Sequence, residues 1–266
     1  VYSLAAETWT FVSQVEWASL WSSGWFPRDG LYDLRTIVLG SVMVTVVALA
    51  IAAPIGLGAA IYLSEYARPG VRRVLKPALE ILAGIPSVVL GFFALTFISP
   101  NVLQAVFPDA RQANLLVAGI GVGILTIPLV ASVSEDALRS VPKEIREASY
   151  GLGARKVTTS TRVVVPAAVS GLVASLIISA SRALGETMVV FIAAGGGNGA
   201  SYTTNPLDPG LTMTAAMATQ AAGTANVVGE GLTFQSLFFV GSVLFLLTLV
   251  LNIAADRFVR RVRHRY

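Results

Sequence analysis

Several features that would indicate a soluble enzyme are missing from this sequence of 266 residues. It contains no cysteine, so neither a disulfide framework nor a thiolate metal site can form. It also contains neither a G-x-x-x-x-G-K-[ST] phosphate loop nor a G-x-S-x-G nucleophile elbow, which argues against ATP hydrolysis by this chain alone and against a serine hydrolase. The sequence therefore predicts no catalytic residues, no metal site and no cofactor bound by this chain.

Charge is also scarce, since 13% of the residues are charged and 55% are hydrophobic, a balance that suits a chain surrounded by lipid. An α-helix needs about 20 apolar residues to cross about 30 Å of hydrocarbon. Five runs meet this requirement: residues 37–63, 74–98, 115–133, 167–194 and 237–255. The predicted fold is all-α, a polytopic bundle of transmembrane helices with five spans, and the membrane domain covers residues 36–256.

The positions of the basic residues predict how the chain is oriented in the membrane. Fifteen of the nineteen Lys and Arg follow the first, third and fifth spans, three lie in the alternate segments, and Arg182 lies within a span. By the positive-inside rule the basic segments face the cytoplasm, including the tail at 257–266, so the net charge of +4 indicates orientation rather than nucleic-acid binding. A lipid headgroup site is the alternative interpretation of the Arg-rich tail.

This orientation places residues 1–35 outside the cytoplasm. The segment begins with Val and has neither the basic n-region nor the apolar h-region of an export signal. We therefore expect an upstream membrane helix to precede it, which would make six spans in the native protein with both ends cytoplasmic. Its aromatic residues are typical of an amphipathic segment at the outer membrane interface, with an aromatic recognition site as the alternative: Trp9, Phe11, Trp17, Trp21, Trp25 and Phe26.

The predicted cytoplasmic loop at 139–162 is long for a connection between membrane helices. Pro142 stands near a helix start, and the stretch "KEIREASYGLGARK" follows it with charged residues around Ala148, Ser149, Gly151 and Gly153. Small residues allow sharp turns and close approach of a partner. On composition alone the loop is equally a docking element for another protein and an amphipathic helix on the membrane surface.

The stretch "EASYGLGARKVTTSTRVVVPAA" resembles the signature of binding-protein-dependent ABC importer permeases, which reads E-A-A, three residues, G, nine residues, then I-x-L-P. Glu147, Ala148 and Gly153 match it, while Ser149 replaces an alanine and the last match is "VVVP". The resemblance implies that this loop docks into a partner ATPase, which would bind the ATP and Mg²⁺. It implies these residues for ATPase coupling: Glu147, Ala148, Ser149, Gly153 and Ala154.

Four further segments resemble the phosphate-specific ABC transporter permease family, the C-type subunit more than the A-type: "IGLGAAIYLSEYA", "LAGIPSVVLGFFAL", "SRALGETMVV" and "NPLDPGLTMTAAMA". The resemblance implies a bacterial cytoplasmic (inner) membrane protein that imports inorganic phosphate. It implies as partners an A-type permease, a pair of ATPase subunits and an extracytoplasmic phosphate-binding protein, in a complex surrounded by membrane lipid.

A polar stripe in the fourth predicted span is the candidate pathway or gate. Ser175, Ser179, Arg182 and Glu186 recur at steps of four, three and four residues, which places them on one face of a continuous α-helix. Lipid cannot solvate this face, so we expect it to contact other helices or a water-filled passage. Arg182 lies sixteen residues beyond Pro166, about 24 Å along the axis at ~1.5 Å per residue, which is past the bilayer midplane.

Three interpretations of the charged pair remain open. Arg182 and Glu186 could neutralise each other as an i,i+4 pair, although Arg before Glu is the weaker orientation. Arg182 could present its fork of donors to phosphate oxygens while Glu186 holds it in place. The pair could also bond to the partner permease and change between transport states. Glu80 is expected to pair with Arg72, Arg73 or Lys76 and to lie outside the site.

Together these observations predict a membrane permease subunit of an ATP-driven phosphate importer that forms half of the translocation pathway and is not itself an enzyme. Two alternatives stay open. The chain could be an importer permease for another oxyanion, or an ion-coupled secondary transporter that uses Arg182 and Glu186 as a relay.

Overall fold

The computed structural model describes residues 2–197, 199–223 and 231–263, with side chains as far as residue 257. The predicted basic tail at 257–266 therefore lies largely outside the described side chains. The α-helices are α1 Tyr2–Gln14, α2 Leu34–Ile61, α3 Pro69–Ala83, α4 Ser87–Phe93, α5 Gln104–Val106, α6 Leu115–Arg139, α7 Lys143–Gly151, α8 Lys156–Thr159, α9 Val165–Ala167, α10 Val169–Leu184, α11 Met188–Ala193, α12 Met213–Ala221 and α13 Thr233–Arg263.

Shorter elements connect these helices. Two 3₁₀ turns lie at Trp17–Trp21 and Pro27–Asp29, and three π-helical segments lie at Tyr62–Tyr66, Ala94–Leu103 and Ser160–Val164. Three short strands, β1 Gly24–Phe26, β2 Leu31–Tyr32 and β3 Ala200–Ser201, form an antiparallel sheet in the order β2–β1–β3.

The all-α membrane fold is confirmed. Four stretches in the described residues are long and apolar enough to cross a membrane: Leu34–Tyr66, Ser87–Val106, Leu115–Arg139 and Thr233–Arg257. A fifth is the bent pair of Lys156–Ala167 and Val169–Leu184, whose axes differ by 69°. The predicted count of five holds when this pair is one broken span, and the chain is a multi-pass membrane protein.

The predicted span at 74–98 is wrong in its boundaries. The helix is interrupted at residues 84–86, between α3 and α4, and the apolar span is Ser87–Val106. Pro86 has no N–H for a helical bond and disfavours a helical conformation at Ile85 before it, which favours a break at this point. The α3 helix carries four charged residues, and none of its residues is buried within the chain.

The predicted span at 167–194 is also not one helix. Its first break is at Ala168, two residues after Pro166, whose ring opposes the carbonyl four residues earlier. Its second break is at residues 185–187, where Gly185 ends α10 before α11 begins. Because the axis turns by 69° at the first break, the depth of 24 Å expected for Arg182 from a straight helix does not apply.

The chain forms two compact units. The first comprises Val1–Ala48, Pro86–Gly123 and Ala183–Leu249. In it Phe11 stacks on Phe239 with 4.7 Å between ring centroids and meets the edge of Tyr32 at 5.1 Å. Phe11 and Trp25 are buried core residues, which corrects their assignment to an interfacial belt, whereas Trp9, Trp17 and Trp21 are exposed as that assignment requires.

The second unit comprises Leu49–Ile85, Ile124–Arg182 and Val250–Tyr266. Its core contains Ala60, Leu138, Val164 and Leu172, which come from α2, α6, the π-segment before α9, and α10. Small residues let these helices approach closely, since a side chain added at Gly171 would meet the Cβ of Ala137 at 2.5 Å. This unit holds most of the candidate site.

Candidate functional site

The polar stripe of α10 is shorter than the sequence predicts. Ser175, Ser179 and Arg182 lie on this helix, but α10 ends at Leu184. Glu186 therefore does not continue the helical face, and the i,i+4 geometry assumed for its pairing with Arg182 is wrong. The helix ends here because Gly185, which has poor helix propensity, lies in the non-helical segment 185–187.

Glu186 instead has a local role at the start of α11. Its carboxylate accepts a hydrogen bond from the backbone N–H of Val189 at 3.4 Å, and an acidic group is favoured at this helix end. Its backbone carbonyl accepts a hydrogen bond from the Thr214 hydroxyl at 2.7 Å. The segment "NPLDPGLTMTAAMA", for which the sequence predicts no chemical role, thus contacts the non-helical residues between α10 and α11 through Thr214.

The two serines of the stripe differ in their partners. Ser175 and Ser134 of α6 share a hydroxyl hydrogen bond of 2.7 Å, and Ser175 also donates to the Leu172 carbonyl at 2.8 Å. Ser179 is equally buried, yet its hydroxyl has no hydrogen-bond partner among the described residues. Ser175 therefore contributes to helix packing, whereas the Ser179 hydroxyl is buried in the described residues without a hydrogen-bond partner.

Arg182 lies in the last turn of α10, where the helix dipole favours a cation. Its side chain is exposed within this chain and makes no ion pair with any described residue. Its neighbour Ser181 donates a hydrogen bond of 2.8 Å to Asn252 of α13. The Arg182 guanidinium therefore has no ion-pair partner among the described residues, whereas the adjacent Ser181 fixes the end of α10 to α13.

Arg182 lines a cavity of about 750 Å³ within the second unit, which we call the inner cavity. Three helices each contribute residues at i, i+3 and i+4 spacing, so each presents one face to it. Its lining residues are Lys76, Leu79, Glu80 and Ala83 of α3; Leu125, Pro128, Leu129, Ser132 and Glu135 of α6; and Ile178, Ser181 and Arg182 of α10. The wall is mostly apolar and carries two basic and two acidic side chains.

Glu135 is a charged residue that the sequence analysis missed. Its side chain is 1% exposed, and its carboxylate lies 2.5 Å from Arg72, 3.4 Å from Lys76 and 3.8 Å from Arg139. The span predicted at 115–133 stopped two residues before it. The i,i+4 spacings of Arg72 with Lys76 and of Glu135 with Arg139 were the available signals, but they do not show that α3 and α6 meet.

The pairing predicted for Glu80 is wrong among the described residues. Arg72 and Lys76 use Glu135 as their partner, and Lys76 also contacts Asp136 at 3.4 Å. Glu80 lies in none of the ion pairs found there and lines the inner cavity. A buried carboxylate attracts the cations more strongly than an exposed one, because water does not screen it.

The candidate coupling loop forms an elbow, made of α7, residues 152–155 and α8. Arg146 of α7 anchors it by contacting Glu65 at 2.9 Å and donating to the carbonyls of Val141 at 2.6 Å and Leu138 at 2.8 Å. Ser149 shares a hydroxyl hydrogen bond of 2.9 Å with Thr159. These bonds hold the elbow against the ends of α2 and α6.

The outer side of the elbow is open. Glu147, Ala148 and Gly153 are exposed, Ser149 and Ala154 are half-buried, and Leu152 is 90% exposed. Gly153 has φ +79°, and nothing lies within 4 Å of the position a Cβ would take. Glycine is therefore favoured here by its backbone conformation, which ends α7.

Comparisons with known proteins agree with this architecture. Residues 52–264 match the family described as "Binding-protein-dependent transport system inner membrane component". The chain is 35% identical to the "Probable ABC transporter permease protein YqgH" of Bacillus subtilis, over 92% of the chain and 79% of that protein. It is 30% identical to the "Phosphate transport system permease protein PstC" of Mesorhizobium japonicum, over 99% of the chain and 84% of that protein.

Solved structures share the fold at lower sequence identity. A chain of a bacterial alginate ABC transporter in complex with its pentasaccharide-bound periplasmic protein aligns with a TM-score of 0.69 and 14% identity, covering 98% of this chain and 88% of that one. A chain of the MetNI methionine ABC transporter aligns with a TM-score of 0.59 and 22% identity, covering 84% and 91%. With the family match covering most of its length, the chain belongs to the inner membrane components of binding-protein-dependent transport systems.

Proposed function

We propose that this chain is the membrane permease subunit of an ATP-driven inorganic phosphate importer and forms half of its translocation pathway. The observation that carries the substrate is the similarity to the PstC protein of Mesorhizobium japonicum over 99% of the chain. A second PstC protein, from Pasteurella multocida, is 29% identical over the same share of the chain. Phosphate is a tetrahedral anion that carries one or two negative charges near neutral pH, and a guanidinium suits its oxygens.

The geometry supports Arg182 as the residue that contacts the anion. Its guanidinium has no ion-pair partner among the described residues and lines a cavity that is large enough for a hydrated anion. Ser179 lies about one helical turn before it, and its buried hydroxyl has no hydrogen-bond partner among the described residues. Glu186 would act indirectly, by fixing the break that ends α10 beside Arg182.

The proposed partners follow from the elbow and from the family. The elbow would lie in the cytoplasm, like the C-terminus, and would dock an ATPase dimer that binds ATP and Mg²⁺. Exposed Leu152 and the polar surface around Glu147 supply a contact of the mixed apolar and polar kind found at protein interfaces. A homologous A-type permease would complete the pathway, and an extracytoplasmic binding protein would deliver phosphate.

The test is transport by the complex of both permeases and the ATPase, reconstituted in proteoliposomes. The binding protein and labelled phosphate are supplied on the extracytoplasmic side, and ATP is supplied on the opposite side. We expect ATP-dependent uptake of labelled phosphate that excess sulfate does not suppress. A complex with an ATPase variant unable to hydrolyse ATP is the control. Sulfate uptake without phosphate uptake would identify a permease for another oxyanion, and uptake driven by an ion gradient without ATP would identify a secondary transporter.

A further inference from the structure

A second cavity lies beside the inner cavity within the same unit and has a volume of about 820 Å³. We call it the elbow cavity, because Lys143, Arg146, Glu147 and Tyr150 of α7 form part of its wall. Six basic and two acidic side chains line it: Arg72, Arg73, Lys76, Arg139, Lys143 and Arg146, with Glu80 and Glu147. Arg146 is bonded to Glu65, and Arg72, Lys76 and Arg139 share the single Glu135 carboxylate, so an excess of basic charge remains that favours an anion.

The two cavities share a wall. Lys76 and Glu80 line both, whereas Arg182 lines only the inner cavity and Arg72 only the elbow cavity. An anion that leaves Arg182 toward the elbow therefore passes Lys76. Resting on the proposed function, this arrangement gives the anion a second cationic contact on the side from which it would leave the permease.

Glu135 is placed to control this contact. Its buried carboxylate lies at the inner cavity and contacts Lys76, while the same carboxylate contacts Arg72 and Arg139 of the elbow cavity. A carboxylate that is 1% exposed is stable only with cationic partners, and these three cations supply them. The Nε of Arg72 is also buried and has no hydrogen-bond partner among the described residues.

We propose that Arg72 and Lys76 form a second phosphate-binding station and that Glu135 is its built-in competitor. With no phosphate present, Glu135 pairs with both cations and offsets part of their charge. Phosphate oxygens take over Arg72 and Lys76 as the anion passes from Arg182, while Arg139, 3.8 Å away, remains the cationic partner of Glu135. Glu135 then regains Arg72 and Lys76 and speeds release. Glu135 is a positioning residue in this scheme, because it acts on phosphate only through the cations that both of them bind.

Removing the competitor should make phosphate bind more tightly and leave more slowly. In the complete complex we expect Glu135→Gln to tighten equilibrium binding of labelled phosphate about tenfold and to lower both KM and kcat for uptake, since one lost counter-charge near the cations is worth at least a tenfold change. Lys76→Gln added to Glu135→Gln should restore turnover toward the wild-type rate. If Glu135 merely braces α3 against α6, the double variant should turn over more slowly than Glu135→Gln alone, because Lys76→Gln would remove a further contact between the helices.

Asp136→Asn is the matched control. Asp136 contacts the same Lys76 ammonium at 3.4 Å, but its side chain is 67% exposed and water screens its charge. We expect its KM and kcat to match the wild type. Glu135→Asp, which keeps the charge, should stay within a few-fold of the wild type.

Different results would overturn the proposed function and the second phosphate-binding station. A wild-type complex that transports no phosphate overturns the proposed function, and this inference with it. A wild-type complex that transports phosphate, together with a Glu135→Gln variant whose KM is unchanged or raised, overturns only the second station. Failure of Lys76→Gln to restore turnover in the double variant has the same consequence and assigns Glu135 to packing alone.

Discussion

Two arginines in one compact unit are used in different ways. Arg146 at the elbow bonds to Glu65 and to backbone carbonyls, and its side chain is 17% exposed. Arg182 on α10 makes no ion pair with any described residue and faces the inner cavity. The N–H donors of Arg146 are bonded to Glu65 and to backbone carbonyls, whereas those of Arg182 have no ion-pair partner among the described residues. A charge that the fold does not need is the better candidate for a charge that a substrate needs.

The largest expected effect is the loss of transport when Arg182 is replaced. Arg182→Gln removes the cation while keeping a polar side chain, so phosphate uptake should fall to background in proteoliposomes. Assembly with the partner permease and the ATPase should be unchanged in size-exclusion chromatography, because Arg182 supports no ion pair in the described chain. Arg182→Lys should retain part of the uptake, since it keeps the charge but loses the planar fork. Wild-type uptake in the Arg182→Gln variant would contradict the pathway role.

Arg146→Leu should act on stability instead. It leaves the Glu65 carboxylate, 4% exposed, without its cation, which lowers the free energy of unfolding by about 3 kcal/mol. The measurement is the unfolding midpoint of the purified protein in lipid nanodiscs. Glu65→Leu added to this variant should recover most of the loss, because no buried charge is then unpaired. An Arg146→Leu protein as stable as the wild type would show that the elbow is held by other contacts.

Gly153→Val should affect coupling, by placing a β-branched residue at φ +79°. The left-handed conformation costs about 1–2 kcal/mol for a residue with a side chain, so the end of α7 should change shape and transport per ATP hydrolysed should fall several-fold. Two matched controls are available. Gly153→Asn tolerates this conformation better, and Gly151→Ala lies in α7 with open space around it, so both should stay near the wild type. Normal coupling in Gly153→Val would remove Gly153 from the coupling role.

The smallest expected effect is a difference in stability between alanine variants of the two buried serines. Ser175→Ala breaks the bond to Ser134 and should cost about 1 kcal/mol of stability without changing uptake. Ser179→Ala loses no described hydrogen bond, so its stability should not fall. A rise in KM for the Ser179 variant alone would show that this hydroxyl contacts phosphate. Equal stability losses in both variants would show that the two serines are not different.

Much of the membrane architecture could be predicted from local sequence. The apolar runs ending near Tyr66 and Arg257 are found within four residues at each end, and the run ending at Arg139 is six residues too short, because length and hydropathy are properties of a continuous segment. The elbow was also recognisable, since its motif lies within about twenty residues. The ends of spans were less reliable where proline or glycine interrupts an apolar run, as at Pro86 and Gly185.

The geometry of the candidate site could be predicted in part. Arg182 and Ser179 both lie on α10, as their spacing predicts, but only Arg182 lines the inner cavity and Ser179 is fully buried. Glu186 was assigned to that face because a hydrophobic helix was assumed to continue through glycine. Glu135 was missed because its importance depends on Arg72 and Lys76, which are about sixty residues away in the chain.

By itself the sequence determined that this protein is a helical membrane protein and where most of its apolar spans lie, because composition and spacing act over short stretches of chain. Only the tertiary structure decided which charges are satisfied. Burial sets the energy of each charge, and the packing of α3 against α6 surrounds Glu135 with cations while the break after α10 leaves Arg182 at a cavity.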